Sequence, residues 1–162
     1  LSAAYHARSM NIYQRHGERV RIATAADLQG NRWTTTAVTT PWPRGRSYLM
    51  PAGSIARLFH KYNGTQGVAV KSAPAGLDIA ASRAGDKLFL HVVNVQYNRA
   101  VKANFPGMKS GRVIEIAPEN LRSYVNQDQP NVFRPRRTEL KAASWRFPAG
   151  SVSAVELELS SG

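Results

Sequence analysis

The chain has 162 residues, with 22 lysines and arginines against 10 aspartates and glutamates, which gives a net charge of +12. A hydrophobic fraction of 43% is ordinary for a globular domain and excludes an intrinsically disordered chain. The absence of cysteine excludes disulfides, thiolate metal sites and cysteine nucleophiles. No apolar run reaches the roughly 18 residues of a membrane-spanning helix. The sequence starts at Leu1 without a signal-peptide pattern, and we expect it to be a piece of a longer protein.

The N-terminal residues predict a helix followed by a short strand. Over residues 2–16, Ala3, Ala7 and Met10 recur at helical spacing. Residues 20–24 then alternate between β-branched and other side chains, which is typical of a strand. This is the pattern of an α/β unit, and one such unit cannot cover its own apolar faces.

A polar loop with two tryptophans and a second helix come next. Residues 27–47 show no periodicity and directly follow a strand end, where α/β folds often carry binding sites. Trp33 and Trp42 have two equally supported roles there, stacking on sugar faces or packing at a domain interface. Residues 54–62 predict an amphipathic helix with Ser54 as its N-cap. Its apolar stripe consists of Ile55, Leu58, Phe59 and Tyr62.

From residue 67 onward the sequence has the two-residue periodicity of β-strands. The clearest element is a hairpin over residues 77–95, in which two alternating runs flank Gly85-Asp86. Residues 126–138 predict a long polar loop. Short strands at this spacing indicate an antiparallel sandwich. We predict strands near residues 67–72, 76–83, 87–95, 99–105, 112–117, 121–125 and 152–159.

The histidines and carboxylates form no catalytic or metal-binding pattern. None of the 4 histidines lies at the spacing of a helical metal pair, and we interpret His91 as a packed strand residue. Glycoside hydrolysis needs two facing carboxylates, but Asp78, Glu115 and Glu156 fall on the polar side of predicted strands. Asp27 alone lies at a strand end, where its alternative role is that of a capping residue. We therefore predict no catalytic residue, no metal site and no cofactor in this chain.

The positive charge gives only weak support for an anionic partner, because the basic residues are spread along the chain. The one tight cluster is Arg134-Pro135-Arg136-Arg137. Neither RNA-recognition aromatics nor a helix-turn-helix pattern accompanies it. A solvated basic surface is the preferred interpretation, and nucleic acid is not favoured as a partner.

Four segments in a fixed order carry a family resemblance. They are NIYQRHGERVRIATAADLQGNRW at residues 11–33, YLMPAGSIARLFHKYNGTQGVAV at 48–70, LDIAASRAGDKLFLHVVNVQYNRAVKANF at 77–105 and FPAGSVSAVELEL at 147–159. In order and spacing they resemble the C-terminal third of glycoside hydrolase family 51, the α-L-arabinofuranosidases and related enzymes. The resemblance covers nearly the whole chain.

The resemblance implies an architecture, because in that family a (β/α)₈ barrel leads into a β-sandwich. The chain would be mainly β, an antiparallel, jelly-roll-like β-sandwich preceded by the last α/β unit of a (β/α)₈ barrel. Residues 1–47 would be the terminal segment of the catalytic barrel, residues 48–66 a linker with a short helix, and residues 67–162 the sandwich domain. Both catalytic glutamates of the family lie on earlier barrel strands outside this chain.

The resemblance also implies where substrate would touch this chain, namely the loop after the last barrel strand. Family members contact the sugar there through a side-chain amide. The corresponding residues here are Asp27, Gln29, Asn31 and Trp33, which we predict to bind substrate. Asp27 stands where the family has glutamine, and an insertion shifts Asn31 and Trp33 relative to the family pattern.

The expected function is that of a part of a retaining glycosidase. The whole enzyme would remove terminal sugars from arabinose-containing or related plant polysaccharides, and this chain alone would be inactive. Its partners would be the N-terminal catalytic barrel, in the same gene product or as a separate chain, and the carbohydrate substrate, with no membrane partner; a homo-oligomer stays open. The alternative is a stand-alone basic β-sandwich module that binds an anionic glycan or nucleic acid. Secreted, periplasmic and cytoplasmic locations all stay open.

Overall fold

The computed structural model describes residues 2–24, 28–31, 36–117 and 119–160. Helix α1 spans Ser2–Arg15, which confirms the first predicted helix. Helix α2 spans Pro51–Lys61 and begins three residues before the prediction, so Ser54 lies inside the helix and not at its N-cap. Proline suits the first helical position, where its missing N–H costs no hydrogen bond. Neither described helix is long and apolar enough to cross a membrane.

Eleven strands are present in the part of the chain that the structure describes. In chain order they are β1 Gln29–Gly30, β2 Val38–Thr39, β3 Tyr48–Leu49, β4 Gln66–Val68, β5 Leu77–Ala84, β6 Lys87–Asn94, β7 Val101–Asn104, β8 Met108–Ile116, β9 Arg136–Glu139, β10 Ser144–Phe147 and β11 Val152–Leu159. Six of them form the main antiparallel sheet, in the order β4-β5-β6-β11-β8-β9. β7 and β10 form a two-stranded ribbon, and β1, β2 and β3 form a small three-stranded sheet.

The main sheet is buried on both faces, because successive side chains of a strand point to opposite sides. Val152 and Ala154 of β11 belong to a core shared with helices α1 and α2. Val155 and Leu157 of the same strand belong to a second core, shared with Phe147 of the ribbon. The chain is therefore mainly β, with antiparallel sheets packed as a sandwich, and the helices cover the other face of the larger sheet.

The hairpin over residues 77–95 is confirmed. β5 and β6 pair along their whole length, and Ala84 opposes Lys87, so that Gly85 and Asp86 alone make the turn. Gly85 has a φ of +58°, which L side chains rarely adopt, and this explains why the turn carries glycine. The hairpin places β6 beside β11 at the centre of the sheet, and β5 lies on the other side of β6.

The predicted strand at residues 20–24 is wrong for this structure. These residues are not in any strand, and Ile22 is 82% exposed. A strand forms only where a neighbour accepts and donates its backbone hydrogen bonds. No described strand pairs with residues 20–24, so the α/β unit expected at this end is not complete in this chain.

Two further predictions in the sandwich are corrected. Residues 121–125 form no strand, although Val125 is buried. The polar loop predicted at residues 126–138 ends early, because β9 begins at Arg136 and pairs with β8. β9 is an exposed edge strand of charged and polar residues, a composition that protects sheet edges from pairing with other chains. Because these residues show no hydrophobic alternation, the sequence pattern did not predict the strand.

Candidate functional site

The loop predicted to bind substrate is partly built into the small sheet. Gln29 lies in β1, which pairs in parallel with Val38 and Thr39 of β2. Its side-chain Nε2 donates a 2.9 Å hydrogen bond to Oγ1 of Thr40. Asn31 follows directly and is exposed. The structure therefore gives the Gln29 side chain a hydrogen-bond partner in Thr40 and leaves Asn31 exposed.

Two of the predicted binding residues, Asp27 and Trp33, lie outside the described residues. Trp42, the other tryptophan of this region, is 81% exposed. Packing at an interface within this chain is thus excluded for Trp42, whereas stacking on a ligand or contact with another domain both stay open.

Thr40 connects this loop to a groove on the neighbouring surface. Thr40 Oγ1 accepts a second hydrogen bond from Ser47 Oγ at 3.4 Å, and Ser47 lines the groove. The groove has a volume of about 680 Å³. Its lining residues are Arg46, Ser47, Tyr48, Leu49, Ser54, Arg57, Gln127, Asp128, Pro130, Asn131, Phe133 and Arg134. We call it the arginine groove after Arg46, Arg57 and Arg134.

The two walls of the arginine groove come from distant parts of the chain and meet at Gly45. A Cβ on Gly45 would lie 2.8 Å from Oε1 of Gln127 and 2.8 Å from Cβ of Pro41. Its φ of +143° is also one that L side chains rarely adopt. Glycine therefore allows the loop before Tyr48 to close against the loop that contains Gln127.

The guanidinium groups of the groove are free of ion pairs with any carboxylate in the described parts of the chain. Arg46, Arg57 and Arg134 are exposed, and Asp128 is the only acidic residue among the groove's described lining residues. Phe133 is buried at 6% exposure, and Tyr48 is half-buried. The groove combines an apolar base with a positively charged rim.

The carboxylates of the main sheet do not face one another as a catalytic pair would. Glu115 lies on the ribbon side of the sheet and accepts hydrogen bonds of 3.1 Å from Nε1 of Trp145 and of 3.1 Å from Oγ of Ser153. Burial raises the pKa of Glu115 more than these donors and the charge of Arg136 lower it. Glu115 is thus a sheltered carboxyl with its own partners.

Asp78 and Glu156 lie on the opposite face of the sheet, and basic residues hold each of them. The prediction that they lie on the polar side of their strands is corrected, because this face packs against the helices. Nζ of Lys87 donates to Glu156 at 2.8 Å and Nε of Arg112 donates at 3.0 Å. Nη1 of Arg15 donates to Asp78 at 2.9 Å. Burial raises the pKa of each carboxyl, but these donors outweigh it, so both pKa values lie below the usual range. Both groups act as ionised anchors.

His91 is a packed strand residue, as predicted. It is 3% exposed, and its ring stacks on Phe59 of α2 with centroids 3.8 Å apart. Nε2 lies 2.7 Å from the carbonyl oxygen of Tyr62, and the side-chain amide of Gln14 lies 2.9 Å from Nδ1. Burial lowers the pKa of His91 to about 4 against the smaller opposing effect of the backbone groups, so the ring is neutral at pH 7.

Sequence patterns alone do not reveal the arginine groove. In the sequence Arg134 belongs to a local basic cluster, but its neighbour Arg137 pairs instead with Glu139 at 2.7 Å. Arg46 and Arg57 are far from Arg134 in the sequence, and only folding brings the three to one groove. The single available signal is the Arg44-Gly45-Arg46 sequence inside an aromatic, proline-rich loop.

Comparison with known proteins finds a likeness in structure alone. No protein-family model matches the sequence, and no curated protein matches it. The GH51 α-L-arabinofuranosidase from Thermotoga petrophila RKU-1 matches with a TM-score of 0.80 and 21% identity, covering 96% of this chain and 38% of that enzyme. The GH51 arabinofuranosidase from Xanthomonas axonopodis pv. citri matches with a TM-score of 0.77 and 15% identity, covering 96% of this chain and 35% of that enzyme.

The likeness extends more weakly to another glycosidase family. A family 86 β-porphyranase from Bacteroides plebeius matches with a TM-score of 0.55 and 10% identity, covering 79% of this chain and 23% of that enzyme. The chain spans 38% or less of the length of these three enzymes. At this identity the likeness establishes the fold alone. The chain has the fold of the C-terminal part of the family 51 arabinofuranosidases.

Proposed function

We propose that this chain is the C-terminal portion of a retaining glycoside hydrolase related to the α-L-arabinofuranosidases. The observation that carries the proposal is the fold match, which extends over 96% of this chain but only 38% of a family 51 enzyme. The catalytic barrel would supply both catalytic carboxylates, one as nucleophile and one as acid and base. Its substrates would be arabinose-containing or related plant polysaccharides.

The incomplete α/β unit supports the same proposal. Residues 20–24 carry a strand pattern but pair with none of the described strands, and Ile22 and Leu28 are exposed. A parallel barrel would provide both the missing backbone partners and a cover for these side chains. In this arrangement residues 1–47 close the barrel, residues 48–66 link it to the sandwich, and residues 67–162 support it from outside.

Within this chain, Gln29 and Asn31 would contribute to the sugar site. They follow the segment that would be the last barrel strand, and active sites of such barrels are built from the loops after their strands. Gln29 already hydrogen-bonds to Thr40, and Asn31 is exposed, so that its amide would be able to bind a sugar hydroxyl. Asp27 and Trp33 stay predicted members of the same loop.

The test is hydrolysis of an aryl α-L-arabinofuranoside by the full-length gene product, with the anomer of the first product identified by NMR. We expect turnover with retention of configuration, and no turnover by the 162-residue chain alone. Asn31→Ala should raise KM, because it removes an amide contact, whereas Asn98→Ala, which changes an exposed asparagine in the sandwich, should not. Turnover by the chain alone, or none by the full-length product, would contradict the proposal.

A further inference from the structure

We propose that the arginine groove binds an anionic saccharide, so that the polysaccharide served by this protein carries carboxylate or sulfate groups. The placement of the saccharide beside Gln29 rests on the proposed function. The groove itself is a property of this chain alone. The inference starts from three guanidinium groups, those of Arg46, Arg57 and Arg134, that line one groove of about 680 Å³.

The groove carries positive charge that the described part of the chain leaves uncompensated. Elsewhere in the described chain, Lys87 and Arg112 pair with Glu156, and Arg15 pairs with Asp78. The three groove arginines have no such partner within the described residues. Guanidinium forks bind carboxylate and sulfate-like groups in two parallel hydrogen bonds, so three of them in one groove are suited to an anionic ligand.

The lining of the arginine groove combines apolar and polar groups in a way that suits a sugar ring. Phe133 and Tyr48 give the groove an apolar base, while Gln127 and Asn131 add amide groups at its edge. A sugar ring presents the same combination, with apolar C–H faces and polar hydroxyls around them. An anionic saccharide therefore uses the base, the amides and the arginines together.

The aromatic residues of the groove favour a saccharide over a nucleic acid as its ligand. Single-stranded nucleic acids bind by stacking bases on exposed aromatic rings. The aromatic residues of the groove are Phe133, which is buried, and Tyr48, which is half-buried. The exposed Trp42 is not among the described lining residues. The groove thus offers guanidinium contacts for phosphate-like groups, but it has no series of exposed rings on which successive bases could stack.

Hydrogen bonds connect the arginine groove with the predicted substrate loop. Ser47 lines the groove and donates to Thr40, and Thr40 accepts the hydrogen bond that orients Gln29. A chain of hydrogen bonds therefore joins the loop of the proposed sugar site to one end of the arginine groove. A polysaccharide bound at Gln29 can extend along this surface, where its charged groups meet the arginines.

The test measures direct binding to the 162-residue chain by calorimetry, with short oligogalacturonides, dextran sulfate, neutral arabino-oligosaccharides and a single-stranded oligonucleotide as separate probes. We expect one or both anionic saccharides to bind, and the two probes show whether carboxylate or sulfate is preferred. The triple variant Arg46→Gln, Arg57→Gln, Arg134→Gln should bind at least about tenfold more weakly, the scale of a single lost charge-assisted contact.

The matched control is the triple variant Arg99→Gln, Lys102→Gln, Arg146→Gln. It removes the same charge from exposed residues outside the groove, and it should bind the anionic saccharides as the unsubstituted chain does. Thermal melting shows whether both variants are folded, which we expect because all six side chains are exposed.

Three results would overturn the inference. Equal losses in both triple variants would assign binding to dispersed charge. Tighter binding of the oligonucleotide through the same three arginines would make the groove a nucleic-acid surface, and no binding of either anionic saccharide would leave it without a ligand of this class. Each differs from failure of the proposed function, which would appear as absent hydrolysis by the full-length product.

Discussion

Single side chains on the helix-facing side of the sheet hold α1 in place through buried polar contacts. Asn11 is fully buried, and its Nδ2 donates to Oδ1 of Asp78 at 2.9 Å and to the carbonyl oxygen of His91 at 3.2 Å. Arg15 adds its ion pair to Asp78 one helical turn later. In the sequence these are ordinary helix and strand positions, because the partners are more than sixty residues apart. They attach α1 to strands β5 and β6.

The buried His91 should make the stability of the chain depend on pH. The folded-state pKa of about 4 lies below the unfolded value of about 6.5. The unfolded chain therefore binds a proton that the folded chain excludes as the pH falls from about 6.5 to about 4, and the free energy of unfolding falls over this range by up to about 3 kcal/mol. Urea unfolding at several pH values measures this loss.

The His91→Gln variant should be less stable at pH 7 but should lose little further stability between about pH 6.5 and about pH 4, because its amide does not titrate. His60→Gln is the matched control. His60 is exposed on α2, so its variant should keep the pH dependence of the unsubstituted chain. Identical pH profiles for His91→Gln and the unsubstituted chain would refute the assignment.

Among the elements, the β5–β6 hairpin is specified locally by its turn. Gly85 has a φ of +58°, and no atom lies within 4 Å of the position that a Cβ would take, so any cost of substitution comes from the backbone and not from crowding. Gly85→Val should therefore lower the free energy of unfolding by about 1–2 kcal/mol, and Gly85→Asn should cost less because asparagine tolerates this region.

Gly67 in β4 provides the control for this prediction. It also has open space around the Cβ position, but its φ lies outside the left-handed region. Gly67→Ala should change stability little or raise it slightly. A similar loss at both glycines, measured by urea unfolding, would show that φ is not the cause.

For the molecule as a whole, the exposed apolar side chains near residues 20–28 distinguish a free domain from a part of a larger enzyme. In the chain alone, Ile22→Asp should change the free energy of unfolding by no more than about 0.5 kcal/mol, because Ile22 is 82% exposed. In a full-length product whose barrel covers Ile22, the same change should cost about 2 kcal/mol or more, since it buries a charge and removes apolar contact.

Tyr124→Asp serves as the control, because Tyr124 is 70% exposed in a loop of the sandwich region. It should have little effect in either protein. Thermal unfolding of the chain and of the full-length product, each with both substitutions, makes the comparison. An equally small effect of Ile22→Asp in both would show that no barrel covers this side chain.

The elements with local signals were predicted correctly from the sequence. Periodicity located α1, the hairpin around Gly85 and strand β11, because side-chain spacing and turn residues act within a few positions. It also predicted the antiparallel sandwich, but it missed strands β1 and β2 inside the segment 27–47 that was predicted to be irregular. It failed at residues 20–24, whose strand pattern has no partner here, and at β9, whose charged edge residues carry no hydrophobic alternation.

Contacts between residues far apart in the sequence became visible only in the folded chain. The tertiary structure split the local arginine cluster, pairing Arg137 with Glu139 and placing Arg134 in a groove with Arg46 and Arg57. It also showed that basic residues on the adjacent strands compensate the charge of Glu156. Glu115 is sheltered on the opposite face of the sheet. These contacts depend on strand order and loop closure, which bring together positions far apart in the sequence, and periodicity carries no information about them.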